Sequence, residues 1–572
     1  MRNTSIFIIL RLLRSITLES KINSLFLLIL SIICGILEAL IIVFAVPIIN
    51  IVTFQNNVIP DSNIYYKFLD FFKLTYSNFN LINSFIIIVL LNLFIRIINL
   101  KILKRLSSKI ASELASKAYK NVINQNYKFF DEINIKELIS SFAYDFNKTE
   151  QAIDAFFVLN SSYFVSFILL LGISFISKLP GLIGVFLILF FYILISNLNK
   201  KKLINNSKEF VSKHTNQTRL ATEDMRSIKD IILNKSYNYH VKKFKNLDFN
   251  KRRITASNAF INTYPKYIVE SIILLFLAIS ALNISIIGLS STNNVSFIGS
   301  LGLACLRIIP ILQLIYSSWS RIEGNRESII KVSEFVKLKF DSLGVIKPLK
   351  WQKQIILKFK KFKYKSQNKV LFNNKEFLIE KGDRTVILGK SGSGKTTIVN
   401  FLMGLRFDKN VSLFVDNLEI KESTEPQIIH NWHSSIGHIS QNGIIVSDTI
   451  AKNIAFGQEN KNIDFERIQI CAKKAQIYDF ILNFKFGFDT LLIEEGKNLS
   501  HGQRQRILLA RALYSGTSLL VVDEGTSALD KTTENQIMKS LSKVDEDITI
   551  ICITHNRNLV KYFSKVIDLD KS

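Results

Sequence analysis

Up to position 317 the chain alternates between long apolar blocks and long polar segments. Six of the blocks reach the length of about 20 residues that a helix needs to cross a bilayer. We therefore predict six transmembrane helices, near 24–52, 81–104, 155–177, 181–199, 266–289 and 295–317.

The polar segments between these spans differ in length and charge. Those between the second and third spans and between the fourth and fifth are long, and 199–253 contains a series of lysines and arginines. The short links near 178–181 and 290–294 carry almost no charge. Because basic loops stay on the cytoplasmic side, we place the long segments and both termini in the cytoplasm.

Two other segments predict helices at the membrane surface. Residues 1–23 hold a short apolar run broken by Arg11 and Arg14, which argues against a secretory signal and indicates an interfacial helix. The external link 53–80 has apolar residues at helical spacing, which predicts an amphipathic external helix at about 61–75. This helix either rests on the outer headgroups or holds the apolar tail of a substrate.

Charge and cysteine content narrow the class of protein. The chain has 73 Lys and Arg against 46 Asp and Glu, a net charge of +27. Such an excess can serve a nucleic acid or an anionic membrane. Here it lies mostly in the predicted cytoplasmic segments, so we expect no nucleic-acid partner. The four cysteines lie far apart, which argues against a disulfide framework and a cysteine metal site.

From Trp351 onward the pattern changes to strands, turns and helices of an α/β unit. A polar connection, 321–349, precedes this change, and we place the boundary near 340. The predicted fold is an all-α transmembrane domain of six helices, 1–340, followed by an α/β domain, 341–572.

The segment from Gly389 to Thr396 fits the phosphate-binding pattern G-x-x-x-x-G-K-[ST]. It follows an apolar strand, 385–388, and opens a helix. Glycines let backbone N–H groups turn toward phosphate, Lys395 supplies a positive charge, and Thr396 offers a hydroxyl to magnesium. This context predicts that the α/β domain is a P-loop NTPase domain, with ATP and Mg²⁺ as cofactors.

A second apolar strand, 519–522, ends in two carboxylates, Asp523 and Glu524. A continuous apolar run is typical of a buried parallel strand, and ligands bind at the carboxyl ends of such strands. Asp523 can orient magnesium through water, and Glu524 is suited to polarise the water that attacks the phosphate.

Leu499-Ser500-His501-Gly502-Gln503, followed by Arg504-Gln505-Arg506, resembles the signature motif of ATP-binding cassette (ABC) proteins. The resemblance covers the chain from Trp351 to its end. It implies that Gln441 belongs to the Q-loop, Asp530 to the D-loop, and that His555 is the switch histidine. His501 stands where the family usually has glycine, and a side chain there could restrict the backbone. The nucleotide contacts implied by the resemblance also include Tyr364, which would stack on adenine, and Ser391, Gly392, Ser393, Gly394, Thr397, Ser500, Gly502 and Gln503.

The resemblance also implies a dimer, because each ATP would lie between the P-loop of one cassette and the signature of another. One cassette after six spans resembles a half-transporter of the exporter type, so a second copy of this chain is the expected partner. Coupling helices would fall near 131–136 and 228–234.

The predicted spans contain few charged residues, and intramembrane charge is costly unless paired or functional. Glu38, Arg96 and Arg307 lie about midway along their spans, whereas Lys266 and Glu270 lie toward the cytoplasmic end of the fifth. Two interpretations stay open. The charges pair internally, for example Glu38 with one arginine, or Arg96, Lys266 and Arg307 bind a phosphate or pyrophosphate headgroup of a substrate.

Three short runs favour the second interpretation. Residues 35–40, 264–270 and 306–310 resemble the membrane domain of PglK-like lipid-linked oligosaccharide flippases, as does the external helix. This resemblance implies ATP-driven movement of a polyprenyl-pyrophosphate-linked saccharide across a bacterial inner membrane, with membrane lipids around the protein. The alternatives are export of another lipid, a peptide or a drug-like molecule, or an ATP-gated channel.

Overall fold

The structure, a computed structural model, describes residues 4–54, 78–286, 292–340, 344–364, 370–390, 392–440, 443–493, 496–523, 538, 541 and 545–570. The predicted external helix at about 61–75 falls outside these residues. The chain divides into two compact units. The first comprises Met1–Gln125 and Phe130–Phe340, and the second comprises Asn126–Phe129 and Asp341–Ser572.

The first unit is helical. A π-helical turn, Ser141–Asp145, precedes its longest helix. The helices of this part of the chain are α1 (Ser5–Arg14), α2 (Leu18–Phe54), α3 (Asn78–Ile123), α4 (Tyr127–Glu132), α5 (Ile135–Ser140), α6 (Phe146–Arg226), α7 (Ile228–Leu233), α8 (Tyr237–Ile286), α9 (Thr292–Gly324) and α10 (Arg326–Lys337).

The long helix α6 folds back on itself. Its 81 residues would extend about 120 Å if they were straight. Yet Tyr144, just before α6, has its ring centroid only 5.5 Å from that of Phe210. Tyr163 and Tyr192 also line one cavity. The chain therefore reverses direction between these two tyrosines, and the predicted third and fourth spans lie on opposite arms. The pattern predicted a short link at 178–181, whereas the backbone is helical there.

Three stretches of the described residues are long and apolar enough to cross a membrane. They are Leu18–Ala45, Phe79–Ile123 and Ile135–Leu171, with mean hydropathies of 2.9, 2.5 and 1.7. They include most or all of the first three predicted spans. One apolar cluster of the first unit includes Ile9 of α1, Leu114 of α3, Ile153 of α6 and Val332 of α10.

The second unit contains two sheets. Its strands are β1 (Gln354–Phe362), β2 (Phe372–Glu380), β3 (Arg384–Leu388), β4 (Val411–Val415), β5 (Leu418–Ile420), β6 (Ile436–Ile439), β7 (Leu519–Asp523), β8 (Thr549–Thr554) and β9 (Lys565–Asp568). The first sheet is antiparallel in the order β2-β1-β4-β5, and the second is parallel in the order β6-β7-β8-β3-β9.

Helices cover the parallel sheet, whose central strands are buried along nearly their whole length, as a sheet covered on both faces requires. The apolar core lies in two clusters. The helices are α11 (Lys395–Leu402), α12 (Pro426–Ser434), α13 (Ile450–Ile454), α14 (Phe465–Lys474), α15 (Tyr478–Leu482) and α16 (His501–Tyr514). A helical membrane unit followed by an α/β unit is the predicted fold class.

Candidate functional site

The P-loop has a backbone that only glycine adopts readily. Gly392 and Gly394 have φ angles of +82° and +98°, in the left-handed region. A Cβ atom on Gly394 would lie 2.5 Å from the Phe372 ring. Helix α11 begins immediately after Gly394, so the loop leads directly into a helix N-terminus, the arrangement that binds phosphate.

Two polar side chains of this loop are suited to phosphate. The Lys395 side chain is buried, and its Nζ donates to the carbonyl oxygens of Gly389 at 2.6 Å and Lys390 at 3.1 Å. The Ser393 hydroxyl is buried and has no hydrogen-bond partner among the described residues. A buried hydroxyl without a partner is costly, and a phosphate oxygen would satisfy it. The loop therefore fits the triphosphate of a nucleotide.

Strand register brings three predicted site residues to one edge of the parallel sheet. On β3 and β8, Leu388 pairs with Thr554, so Gly389 and His555 both follow paired positions. On β7, Asp523 pairs with Ile553, one residue earlier on β8. The P-loop, Asp523 and His555 thus lie at the carboxyl edge of neighbouring strands, where parallel sheets bind ligands.

The signature segment forms the start of α16. Ser500 caps this helix, since its hydroxyl accepts from the Gln503 amide at 3.2 Å and the Gln503 side chain accepts from the Ser500 amide at 2.7 Å. His501 is the first helical residue and does not have a positive φ. The possible backbone restriction at this position therefore does not arise. Burial, and then the charge of Arg504, lower the pKa of His501.

Four predicted site residues, Ser391, Gln441, Glu524 and Asp530, lie outside the described residues. Their roles stay predictions. Just after Gln441, a Cβ atom on Gly443 would collide with the side chain of Leu508 on α16. The segment after the Q-loop therefore packs closely on the helix that carries the signature.

Two family profiles match the chain. Residues 372–527 match "ABC transporter", and residues 24–299 match "ABC transporter transmembrane region". The chain belongs to the ABC transporters. The order of its domains, one membrane region before one cassette, makes it an exporter-type half-transporter that hydrolyses ATP to drive translocation.

Curated relatives and a solved structure agree with this family. An ATP-dependent lipid A-core flippase of Francisella novicida is 27% identical over 479 residues, which cover 81% of this chain and 78% of the relative. One of Saccharophagus degradans is 38% identical over 205 residues, 36% of this chain and 34% of the relative. A bacterial Atm1-family ABC exporter with ATP bound has a similar fold, with a TM-score of 0.76 and 17% identity over 96% of this chain and 93% of that one.

In this transporter Tyr364 lies beside the P-loop helix. Its hydroxyl and that of Thr397, a buried residue of α11, are 2.6 Å apart. The Phe362 and Tyr364 rings contact each other at 73°, with centroids 5.4 Å apart, and the Arg406 guanidinium lies 4.9 Å from the centroid of the tyrosine ring. These contacts hold the tyrosine next to the P-loop.

Arg511 is a residue of the cassette that sequence reasoning missed. Its guanidinium donates to the carbonyl oxygens of Asn453 at 2.7 Å and Ile444 at 3.0 Å, and to the Asn453 side chain at 2.9 Å. Burial lowers its pKa to about 10, so the side chain stays charged at neutral pH. Arg511 ties the segment after the Q-loop to the signature helix. The position of Arg511 on α16, nine residues after Gly502, gave no signal of this contact.

The charges midway along the spans form one cluster on three helices. The Glu38 side chain of α2 is 5% exposed. One of its oxygens accepts from Arg96 of α3 at 3.1 Å and from Asn92 at 3.0 Å, and the other accepts from Arg307 of α9 at 3.2 Å. Glu38 therefore pairs with both arginines, where the sequence suggested one.

The two arginines are much more exposed than the carboxylate that they share. Their side chains are 59% exposed for Arg96 and 43% for Arg307. One negative charge faces two positive charges, so the cluster keeps a net positive charge. Lys266, the third candidate for substrate binding, pairs instead with Glu270 on the same helix, at 3.6 Å.

Proposed function

We propose that this ABC exporter uses ATP to flip a lipid-linked oligosaccharide, with a phosphate or pyrophosphate between lipid and saccharide, outward across a bacterial inner membrane. The names of the relatives support a lipid substrate, since they are called flippases. The saccharide-linked class rests on the charge cluster and on the short runs that resemble oligosaccharide flippases.

The observation that carries this proposal is the shared pairing of Arg96 and Arg307 with Glu38. Guanidinium groups bind phosphate oxygens in a bidentate manner, and a net positive charge inside a membrane favours an anionic partner. A neutral peptide or drug would have no negative group to pair with this positive charge. Lys266 is the weaker candidate, because Glu270 already offsets its charge. In the same proposal the predicted external helix at about 61–75 would lie beside the lipid tail.

The cassette residues would act as follows. Lys395 and the P-loop amides bind the phosphates, Tyr364 stacks on the base, and Glu524 polarises the attacking water. His555, at the same sheet edge as Gly389, would contact the γ-phosphate. Among the described residues, no three His, Cys, Asp or Glu side chains form a metal site. Mg²⁺ would be held by the Thr396 hydroxyl, the nucleotide itself, Gln441 and, through water, Asp523.

The signature needs a second cassette, so the functional unit would be a dimer. Ser500, Gly502 and Gln503 of one copy would complete the ATP site of the other, with Asp530 at the contact between them. Both halves of a competent site occur in this chain, which favours a homodimer. The basic segments between the spans favour cytoplasmic cassettes and termini.

The test is reconstitution of the full-length protein into liposomes that carry a fluorescent polyprenyl-pyrophosphate oligosaccharide. We expect ATP to move the label between leaflets, as followed by its accessibility to a membrane-impermeant quencher. Arg307→Ala should lose flipping and keep ATP hydrolysis, whereas Arg307→Lys should recover only part, because bidentate geometry is lost.

Controls separate the alternatives. Liposomes with lipid A-core test the substrate named for the relatives, and ion conductance without lipid transfer would indicate a channel. Normal flipping by a stable Arg307→Ala protein would rule out headgroup binding by this residue.

A further inference from the structure

In the nucleotide site a cation, Arg406, lies beside Tyr364, the tyrosine that is proposed to stack on the base. Arg406 follows α11, and its amide is bound to the Asn400 carbonyl at 3.2 Å, which fixes where its side chain begins. Its guanidinium lies over the Tyr364 ring at 4.9 Å, within the distance of a cation–π interaction. Both residues are half-buried, so water screens this attraction only in part.

Tyr364 is held from two further directions. The bond between its hydroxyl and that of Thr397 fixes the tip of the ring, and the Phe362 ring contacts it at 73° to its plane. With Arg406 on one face, the ring has a defined plane and position. In the proposed role of Tyr364, the base would stack on the opposite face of the ring.

We propose that Arg406 is a positioning residue for the nucleotide base: it holds the Tyr364 ring in the stacking orientation before ATP arrives. This inference rests on the proposed role of Tyr364. A ring that is already ordered loses less conformational freedom on binding, which raises affinity without a new contact to the ligand. We expect Arg406 to act through the tyrosine rather than by binding phosphate.

The experiment compares ATP with inorganic tripolyphosphate, which has no base. Binding is measured on the purified full-length protein without magnesium, so that no hydrolysis occurs. Arg406→Gln should weaken ATP binding about fivefold, the range of a partly exposed cation–π contact. It should leave tripolyphosphate binding unchanged. Arg406→Lys should keep part of the affinity for ATP.

A matched control is Lys409→Gln, which removes an exposed positive charge three residues away. It should change neither ligand's affinity. Tyr364→Leu should weaken ATP binding more than Arg406→Gln does, and the double variant should bind ATP no more weakly than Tyr364→Leu alone.

The outcomes are distinct. Equal weakening for ATP and tripolyphosphate in Arg406→Gln would show a general charge effect and overturn the inference. Full ATP affinity in Arg406→Gln, with weak binding in Tyr364→Leu, would overturn the role of Arg406 and keep that of the tyrosine. Full affinity in Tyr364→Leu would overturn both. A melting temperature that falls in Arg406→Gln, with ATP and tripolyphosphate binding lost together, would assign Arg406 to folding.

Discussion

The nucleotide site and the intramembrane charge cluster both gather polar groups from distant parts of the chain, but different interactions hold them. At the nucleotide site, hydrogen-bonded strand register places the P-loop, Asp523 and His555 at one sheet edge. In the membrane unit, three helices meet through the side chains of Glu38, Arg96 and Arg307.

The two regions should therefore respond differently to substitution. A backbone ladder is independent of the side chain at the ligand edge, so a residue there can change without moving its neighbours. In the cluster the charged side chains contact one another across helices, so removing one alters the partners of the others. We therefore expect variants of the nucleotide site to lose activity and stay folded, and variants of the cluster to change stability as well.

The largest expected effect is at Glu524. Glu524→Gln keeps the size of the side chain and removes the carboxylate that would polarise water, so ATP turnover should fall by about 1,000-fold. ATP binding and the melting temperature should stay as in the wild type. The measurement is phosphate release with magnesium, together with nucleotide binding. Turnover at the wild-type rate would remove Glu524 from the mechanism.

The second-largest expected effect is at His555, on the carboxyl edge of the parallel sheet, where the backbone ladder does not depend on the side chain. His555→Ala should lower ATP hydrolysis by about 100-fold, as expected when a donor to a developing charge is lost. The protein should purify as a folded membrane protein, because β8 ends at Thr554 and its ladder does not need the imidazole. Tripolyphosphate-induced stabilisation serves as a control for the P-loop. A variant that fails to fold would make His555 a structural residue.

The charge cluster should behave in the opposite way. Arg96→Ala and Arg307→Ala each leave Glu38 with one arginine and the Asn92 amide, so each should lower stability by about 1 kcal/mol. The double variant leaves the buried Glu38 carboxylate without either arginine. Its loss of stability should therefore exceed the sum of the losses in the two single variants. Glu38→Gln should restore part of that loss. Thermal unfolding in detergent gives these values, and strict additivity would contradict a shared pairing.

The smallest expected effect concerns His501. Burial lowers its pKa in the folded state, so the unfolded state binds more protons as pH falls. This contribution to stability is present above the unfolded pKa of about 6.5 and is lost as pH falls through and below that value. As the pH falls from about 7 to 5, the His501→Gly variant should therefore lose less of its stability than the wild type does. His433 and His438, whose pKa values burial also lowers, are unchanged in both proteins. Identical pH profiles would exclude this contribution.

The sequence could predict those parts of the site that are marked by contiguous motifs. The P-loop, the Asp523 strand and the signature are contiguous motifs, in which the residues that bind phosphate are neighbours along the chain. The partners of Arg511 and Arg406 are not neighbours of this kind. Arg511 binds residues 58 and 67 positions away, and Arg406 lies over a ring 42 positions earlier, so no local pattern marked either contact.

The sequence by itself determined the class of this protein, because apolar block length sets the membrane helices and the cassette motifs are local. It also located the charges midway along the spans. Only the tertiary structure decided that Glu38 pairs with two arginines and that α6 folds back on itself. The physical reason is that these contacts depend on how helices rotate and pack against one another, and a span's hydropathy is almost independent of that rotation.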